Sequence, residues 1–198
     1  MSAQARRSTL ALGALAAALL ASLPAAATTS EALDMRELVR RADETVVATA
    51  VDSRVHRDGH RRIVTDVTLR VERALQGTAR VGGRIVVRRL GGAIGDLGMR
   101  IEGEPSFEIG GRYLLFLRRL PGTGVLRPVG MSQGVMRVRR GGTAGEVVEP
   151  GAQGLRLMRR TGGALVPAPA ALPEARPLDR VIAEVTDLVA ADRGTLAR

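Results

Sequence analysis

Apolar residues near the start of the chain repeat with the period of a helix. Within residues 28–43 they fall at positions i, i+3, i+4 and i+7, which predicts a short amphipathic helix. Thr29 or Ser30 is expected to cap this helix, because a hydroxyl can satisfy a free backbone N–H group at its start. The apolar positions of the helix are Met35, Leu38, Val39 and Ala42.

The next segments change to the period of a strand. Residues 61–77 alternate apolar with polar side chains, and residues 45–55 are rich in β-branched side chains, so the two predict a β-hairpin. A three-residue turn, Arg57–Gly59, would pair odd-numbered positions with odd-numbered ones. The buried face would then hold Val47, Val51, Val55, Ile63, Val67 and Leu69, with Asp66, Arg70 and Glu72 exposed.

Several shorter β-like segments follow, most of them bounded by glycine. They cover residues 82–92, 112–120, 125–140 and 144–151, and residues 91–111 form a long glycine-rich connection. Residues 112–120 contain a continuous apolar run, which predicts a central strand buried on both faces. About six short strands with helices only at the ends predict a mainly β protein, a small barrel or a sandwich.

The first 27 residues have the features of a targeting segment. Residues 1–27 combine an Arg6–Arg7 pair, an apolar stretch and an Ala-x-Ala site, which predicts a signal peptide cleaved after Ala27. The protein is therefore expected to be exported, to the periplasm or beyond the cell, by the general secretory or the twin-arginine route. No later segment is apolar enough to span a membrane.

The C-terminal part is predicted to be a helix on a linker. Residues 161–177 are rich in Pro, Ala and Gly and are interpreted as an extended linker that follows a barrel domain of residues 28–160. Residues 178–198 carry an apolar stripe at helical spacing, between Pro177 and Gly194, and are expected to dock on the barrel. The stripe consists of Leu178, Val181, Ile182, Val185, Leu188 and Val189.

Charge and composition narrow the possible functions. The formal net charge is +10, every basic residue other than histidine is an arginine, and cysteine is absent. Cysteine-based catalysis and cysteine-type zinc sites are excluded, and no cofactor is predicted. The arginines favour an anionic partner, either a protein or an anionic glycan of the cell envelope. Nucleic acid is not expected, because the aromatic residues are only Phe107, Tyr113 and Phe116, all in apolar contexts.

The order of three segments resembles that of TIMP/netrin-like modules, and it is also similar to that of a group of uncharacterised exported bacterial proteins. These segments are "ELVRRADETVVATAVDSRV", "VTDVTLRVERALQG" and "GGRYLLFLRR", and the resemblance covers about residues 37–140. It implies an OB-like β-barrel, so the expected fold is a small OB-like barrel of about six strands with an N-terminal helix and a C-terminal amphipathic helix. Metalloproteinase inhibitors of that family use an N-terminal cysteine, which this chain lacks, so their inhibitory mechanism is not expected here.

Ser132 lies in "GMSQG", the spacing of a nucleophile elbow. Such an elbow needs a helix after the serine, whereas "VMRVRR" predicts a strand, and both histidines precede Ser132 in the chain. Gly130 and Gly134 are better explained as turn or bulge glycines between two strands. A hydrolase using Ser132 remains the alternative to a binding module.

The turn "HRDGH" offers the other possible chemistry. His56 and His60 would face each other across the hairpin with Asp58 at its tip, a set that could hold a transition metal in an alternative hydrolase. A mobile turn gives such a site little support, so no metal is assigned.

The interpretation we favour is a non-enzymatic exported binding module. Its ligand would be bound through loops and an arginine-bearing face. The binding candidates are Arg54, Arg57, Arg61, Arg62, Asp96 and Arg100.

Overall fold

The computed structural model describes residues 28–142 and 145–196. The signal peptide expected at residues 1–27 lies outside the described residues. In chain order the elements are β1 (Thr28–Glu31), α1 (Met35–Arg41), β2 (Glu44–Arg57), β3 (Ile63–Gln76), β4 (Arg84–Leu90), β5 (Gly92–Ile94), β6 (Leu97–Met99), β7 (Arg112–Arg119), β8 (Leu126–Pro128), a 3-10 turn (Met131–Gly134), β9 (Val135–Arg140), β10 (Glu146–Val148), β11 (Leu155–Thr161), β12 (Ala164–Pro167), β13 (Arg176–Pro177) and α2 (Leu178–Leu196).

Five strands close into a barrel in the order β2–β3–β4–β8–β7 and back to β2. Every pairing in the ring is antiparallel except β4 with β8, which are parallel where Val87 meets Leu126. The mainly β prediction is therefore correct, but the ring has five strands rather than about six. Strand β9 belongs to a sheet extension, β7–β9–β10–β13, outside the ring.

Strand β7 belongs to both the ring and the extension, because two parts of one of its edges pair with different strands. Leu117–Arg119 pairs with β8, whereas Arg112–Leu115 pairs with β9. The 3-10 turn between β8 and β9 carries the chain from one to the other. Gly130 is left-handed (φ 62°), and a Cβ at Gly134 would overlap two carbonyl oxygens, so both glycines of "GMSQG" serve this turn.

Two cores lie on the two faces of β7. Tyr113, Leu115 and Leu117 point into the barrel, where they pack with β2, β3, β4 and β8, while Leu114 and Phe116 face the helices. Residues 112–120 were predicted to be buried on both faces, and this is confirmed for Tyr113 through Leu117. A continuous run of apolar residues in this strand therefore indicates a core on each of its two faces rather than on one.

The predicted hairpin exists, and odd-numbered positions do pair with odd-numbered ones next to its turn, but the turn length and the exact register were wrong. The loop has five residues, Asp58–Arg62, and an extra residue, Val51, forms a bulge between Ala50 and Asp52. Because a bulge reverses the faces of all residues beyond it, Val47 joins the helix-facing core and Val51 is exposed. Val67 and Leu69 do line the barrel interior.

Both helices pack on the outside of the barrel. Helix α1 begins later than predicted: Asp34 is its N-cap and forms a capping box with Glu37, while Thr29 and Ser30 lie in β1. Helix α2 buries its stripe against α1 and the sheet, as the docking prediction required. No helix within residues 28–142 and 145–196 combines the length and the apolar character needed to cross a membrane.

Residues 161–177 are extended but held in place. Strand β12 pairs with β11, and β11 in turn pairs in parallel with β1, so these form a small second sheet. Strand β13 pairs with β10 at the end of the main sheet. Leu172 between them is fully buried in the helix-facing core. The Pro/Ala/Gly-rich composition of this segment therefore indicates an extended backbone, but it does not predict how the segment packs.

Candidate functional site

The hairpin tip is held by one carboxylate. Asp58 accepts hydrogen bonds from the backbone N–H groups of His60 (3.0 Å) and Arg62 (2.9 Å), and from Nε of Arg62 (2.9 Å). The side-chain bond from Arg62, helped by these N–H groups, lowers the pKa of Asp58 to about 2. Asp58 is thus an ionised structural group that fixes the loop between β2 and β3.

His56 lies in a separate network on the outer face of the barrel. Its Nε2 is 2.9 Å from Oδ2 of Asp66, and Arg88 donates to both carboxylate oxygens of Asp66, at 2.6 Å each. Burial opposes ionisation of Asp66, but the hydrogen bonds from Arg88 and His56 outweigh it and lower its pKa. The expectation that Asp66 is simply exposed was wrong, because Arg88 lies opposite it on β4.

The imidazoles of the "HRDGH" turn are not paired across the hairpin. His56 lies opposite Val64, and His60 lies within the five-residue loop. Within the part of the chain that the structure describes, no group of three or more His, Asp or Glu side chains is arranged to hold a metal ion.

Two loops frame a groove on the outside of the barrel. The loop at residues 58–62 joins β2 to β3, the loop at residues 120–125 joins β7 to β8, and between them lies a cavity of about 300 Å³. Its apolar lining consists of Val64, Leu90, Leu120 and Pro121. We call this cavity, with its polar lining of Asp58, His60, Arg62, Arg88, Thr123 and Arg127, the hairpin groove.

The arginines of the hairpin groove are positioned by carboxylates. Arg62 pairs with Asp58 (2.7 Å), Arg88 with Asp66 (2.6 Å) and Arg127 with Glu104 (3.1 Å). Such pairs fix the guanidinium groups while leaving some of their five N–H donors available to a ligand. The groove therefore combines an aliphatic surface with three oriented guanidinium groups, whose charges are balanced by Asp58, Asp66 and Glu104.

The other hairpin arginines predicted to bind a ligand lie beside the hairpin groove rather than in its lining. Arg57 donates to the carbonyl of Arg61 (3.0 Å), which tightens the hairpin tip. Arg54, Arg57 and Arg61 are all exposed next to the groove, and none has a carboxylate within 4.0 Å among the described residues. They add positive potential around the groove without lining it.

Asp96 and Arg100 are not brought to the hairpin groove. The 91–111 segment contains the β5–β6 hairpin, and Asp96 is exposed in its turn. Arg100 pairs with Glu102 (2.8 Å) and lines a different cavity, together with Arg89. Sequence reasoning missed Arg88, Arg89 and Arg127, because an arginine within a strand carries no local signal of what lies across the sheet.

Ser132 is buried in the 3-10 turn between β8 and β9. Its Oγ donates to the carbonyl of Gln153 (3.0 Å), its N–H donates to the carbonyl of Gly103 (2.9 Å), and its carbonyl accepts from Ala152. These bonds tie three loops together. His56 has Asp66 and the carbonyl of Arg57 as its close partners, so no hydrogen bond within the described residues joins the serine to an imidazole.

The aromatic side chains take part in packing. Tyr113 and Phe116 are buried, and Phe107 packs edge-on against Tyr113 with ring centroids 5.1 Å apart. None of the three lines the hairpin groove.

Compared with known protein families and with curated proteins, the chain matches no family model and no curated sequence.

Proposed function

We propose that this chain is an exported, non-enzymatic binding module of OB type that takes an acidic segment of a partner protein in the hairpin groove. The observation that carries the proposal is the aliphatic lining of the groove surrounded by Arg62, Arg88 and Arg127. Export rests on the leader predicted at residues 1–27.

The topology supports both the fold type and the place of the site. OB-folds are five-stranded Greek-key barrels whose ligands contact the loops between strands 1 and 2 and between strands 4 and 5. In the ring described above, the loops at residues 58–62 and 120–125 hold those two positions. The correspondence concerns the fold type and the position of the site but not the identity of the ligand, since one fold carries many functions.

Charge and polarity favour an acidic protein segment over the other anions. Val64, Leu90, Leu120 and Pro121 present no hydrogen-bonding side chain, so a hydroxylated sugar ring placed on them would lose bonds to water without replacement. A nucleic acid would need aromatic stacking surfaces, which the groove lacks. Aliphatic side chains next to carboxylates would satisfy both parts of the groove, and arginine is enriched among the residues that dominate protein interfaces.

A photo-crosslinking residue placed at Thr123, on the rim of the groove, would capture the partner in envelope extract. Thr161, also exposed but at the end of β11, is the matched control position. We expect an adduct from position 123 that is absent from position 161. It should weaken with rising salt, because exposed charge interactions are screened over about 10 Å at 0.1 M salt.

A charge placed in the groove distinguishes a specific contact from general attraction to a basic protein. Leu120→Glu should abolish the adduct through repulsion of the acidic partner, whereas Leu165→Glu, at a Leu 56% exposed on β12, should leave it unchanged. An adduct that resists Leu120→Glu would refute the proposal. An adduct removed by glycan digestion but not by protease would assign the groove to an anionic glycan instead.

A further inference from the structure

A second cavity, of about 400 Å³, lies where the 99–106 segment covers one end of the barrel. Arg89 of β4 lines this cavity. In the barrel wall Arg89 lies opposite Thr65 of β3, and Thr65 in turn lies opposite Val55 of β2. Its other polar lining residues are Arg100, Glu102, Glu104, Ser106 and Gln153. We call this the Arg89 cavity.

Arg89 is half-buried, and none of the described residues is its ionic partner. Its only hydrogen bond within the described residues is a long one, 3.4 Å, from Nη1 to the carbonyl of Leu90. No carboxylate oxygen of the described residues lies within 4.0 Å of its guanidinium. Burial lowers the pKa of Arg89, and the nearby Glu104 only partly offsets that effect. A partly desolvated cation of this kind gains free energy when an anion reaches it.

The carboxylates of the cavity are already engaged. Glu104 is almost fully buried, accepts the N–H of Leu90 (3.1 Å) and pairs with Arg127 (3.1 Å). Glu102 pairs with Arg100 (2.8 Å). Each glutamate is therefore balanced by an arginine other than Arg89, and among the described residues the charge of Arg89 is left without a counterpart. Charge complementarity selects an anion with one negative charge, because the second charge of a phosphate dianion would have no cation to meet.

The remaining lining consists of aliphatic side chains and glycine backbone. Met99, Ile101 and Pro105 contribute aliphatic surface, and glycines form part of the wall. Gly154 has a positive φ of 72°, and a Cβ there would be 3.2 Å from the backbone nitrogen of Gly103 and 3.3 Å from the Glu102 carboxylate. A side chain at this position would narrow the cavity, so glycine keeps it open.

We propose that the Arg89 cavity binds a small aliphatic monocarboxylate. The ligand carboxylate would accept the two parallel N–H bonds of the Arg89 guanidinium, and its alkyl part would contact Met99, Ile101 and Pro105. Ser106 and Gln153 offer neutral polar groups at the edge of the cavity. This site is independent of the partner protein proposed for the hairpin groove.

The test uses butyrate as the probe, titrated into the purified processed protein. We expect millimolar binding by calorimetry, with shifts of the backbone NMR signals of Gly92, Gly103 and Gly154. The Nε–H signal of Arg89 should move as well. Butyramide, which has the same shape without the charge, and inorganic phosphate should bind at least about tenfold more weakly, the difference that a charge-assisted hydrogen bond supports.

Substitutions in β4 provide the specific control. Arg89→Met should reduce butyrate affinity at least about tenfold. Its melting temperature should equal or exceed that of the unmodified protein, because a desolvated charge without a partner is removed. Arg84→Met, at an exposed arginine of the same strand, should bind butyrate normally.

Three outcomes would overturn the proposal. These are no butyrate binding up to about 50 mM, unchanged binding in Arg89→Met, and phosphate binding more tightly than butyrate. If Arg89→Met does not fold, the Nε–H signal of Arg89 in the unmodified protein provides the test. A signal that does not move when butyrate is added would equally refute the proposal. Loss of this site would leave the crosslinking result at Thr123 unaffected, so the two proposals can fail separately.

Discussion

Replacing Asp66 by Asn tests the network on the outer face of the barrel. The change keeps the shape of the side chain but removes the charge that meets both Arg88 and His56. The Asp66 and Arg88 side chains are each only 19% exposed, and their two bonds measure 2.6 Å. Exposed ion pairs contribute about 0.2–1 kcal/mol, and breaking a fully buried pair costs about 3–5 kcal/mol. We therefore expect Asp66→Asn to lower the free energy of unfolding by about 1–3 kcal/mol.

The assay is urea unfolding at several pH values, with Asp52→Asn as the control. Asp52, on the neighbouring strand β2, is exposed and has no ion pair among the described residues, so its replacement should change stability by less than about 0.5 kcal/mol. The pKa of Asp66 is lowered in the folded state, so its contribution is present above the unfolded pKa of about 4. That contribution is lost as the pH falls through the folded-state pKa, and the two proteins should then converge.

Two results would refute this reasoning. Equal effects of Asp66→Asn and Asp52→Asn at neutral pH would show that the network adds nothing beyond a surface charge. A difference between the unmodified protein and Asp66→Asn that stays constant down to the lowest pH would show that ionisation of Asp66 is not its source.

Two further substitutions test the packing around the barrel. Val185→Ala, at a fully buried position of α2, should lower the free energy of unfolding by about 2 kcal/mol. Its control, Thr186→Ala, is exposed and should change that free energy by no more than about 0.5 kcal/mol. Similar values for the two variants in urea unfolding would mean that α2 is not docked as described. Gly77→Ala should cost about 2 kcal/mol or more, because φ is +97° and a Cβ would overlap the buried Glu44 carboxylate. Gly59→Ala meets no atom within 4 Å and serves as its control, and equal melting temperatures for the two variants would contradict the geometry.

The sequence by itself determined the element types where a local period was strong. The stripe of α2, from Leu178 to Val189, needs only the repeat of the helix to be recognised, and the burial of β7 on both faces follows from one continuous apolar run. The glycines around Ser132 were also interpreted correctly, because a strand after the serine is incompatible with a nucleophile elbow. Each of these inferences depends on residues close together in the chain.

Tertiary structure alone decided the register and the site. The bulge at Val51 moves Val47 to the helix-facing core, and no residue near it in the sequence signals that shift. The ring closes with five strands because the edge of β7 is divided between β8 and β9, a competition between distant segments.

The candidate sites depend on the same long-range pairings. Arg88 is paired because Asp66 lies across the sheet. Arg89, the next residue, has no ionic partner among the described residues, because its side chain reaches a cavity at the barrel end. The alternating faces of a strand give neighbours in sequence different surroundings, and strand pairing determines what those surroundings contain. Composition could therefore favour the hypothesis of an anionic partner, but it could not indicate which arginines would face that partner.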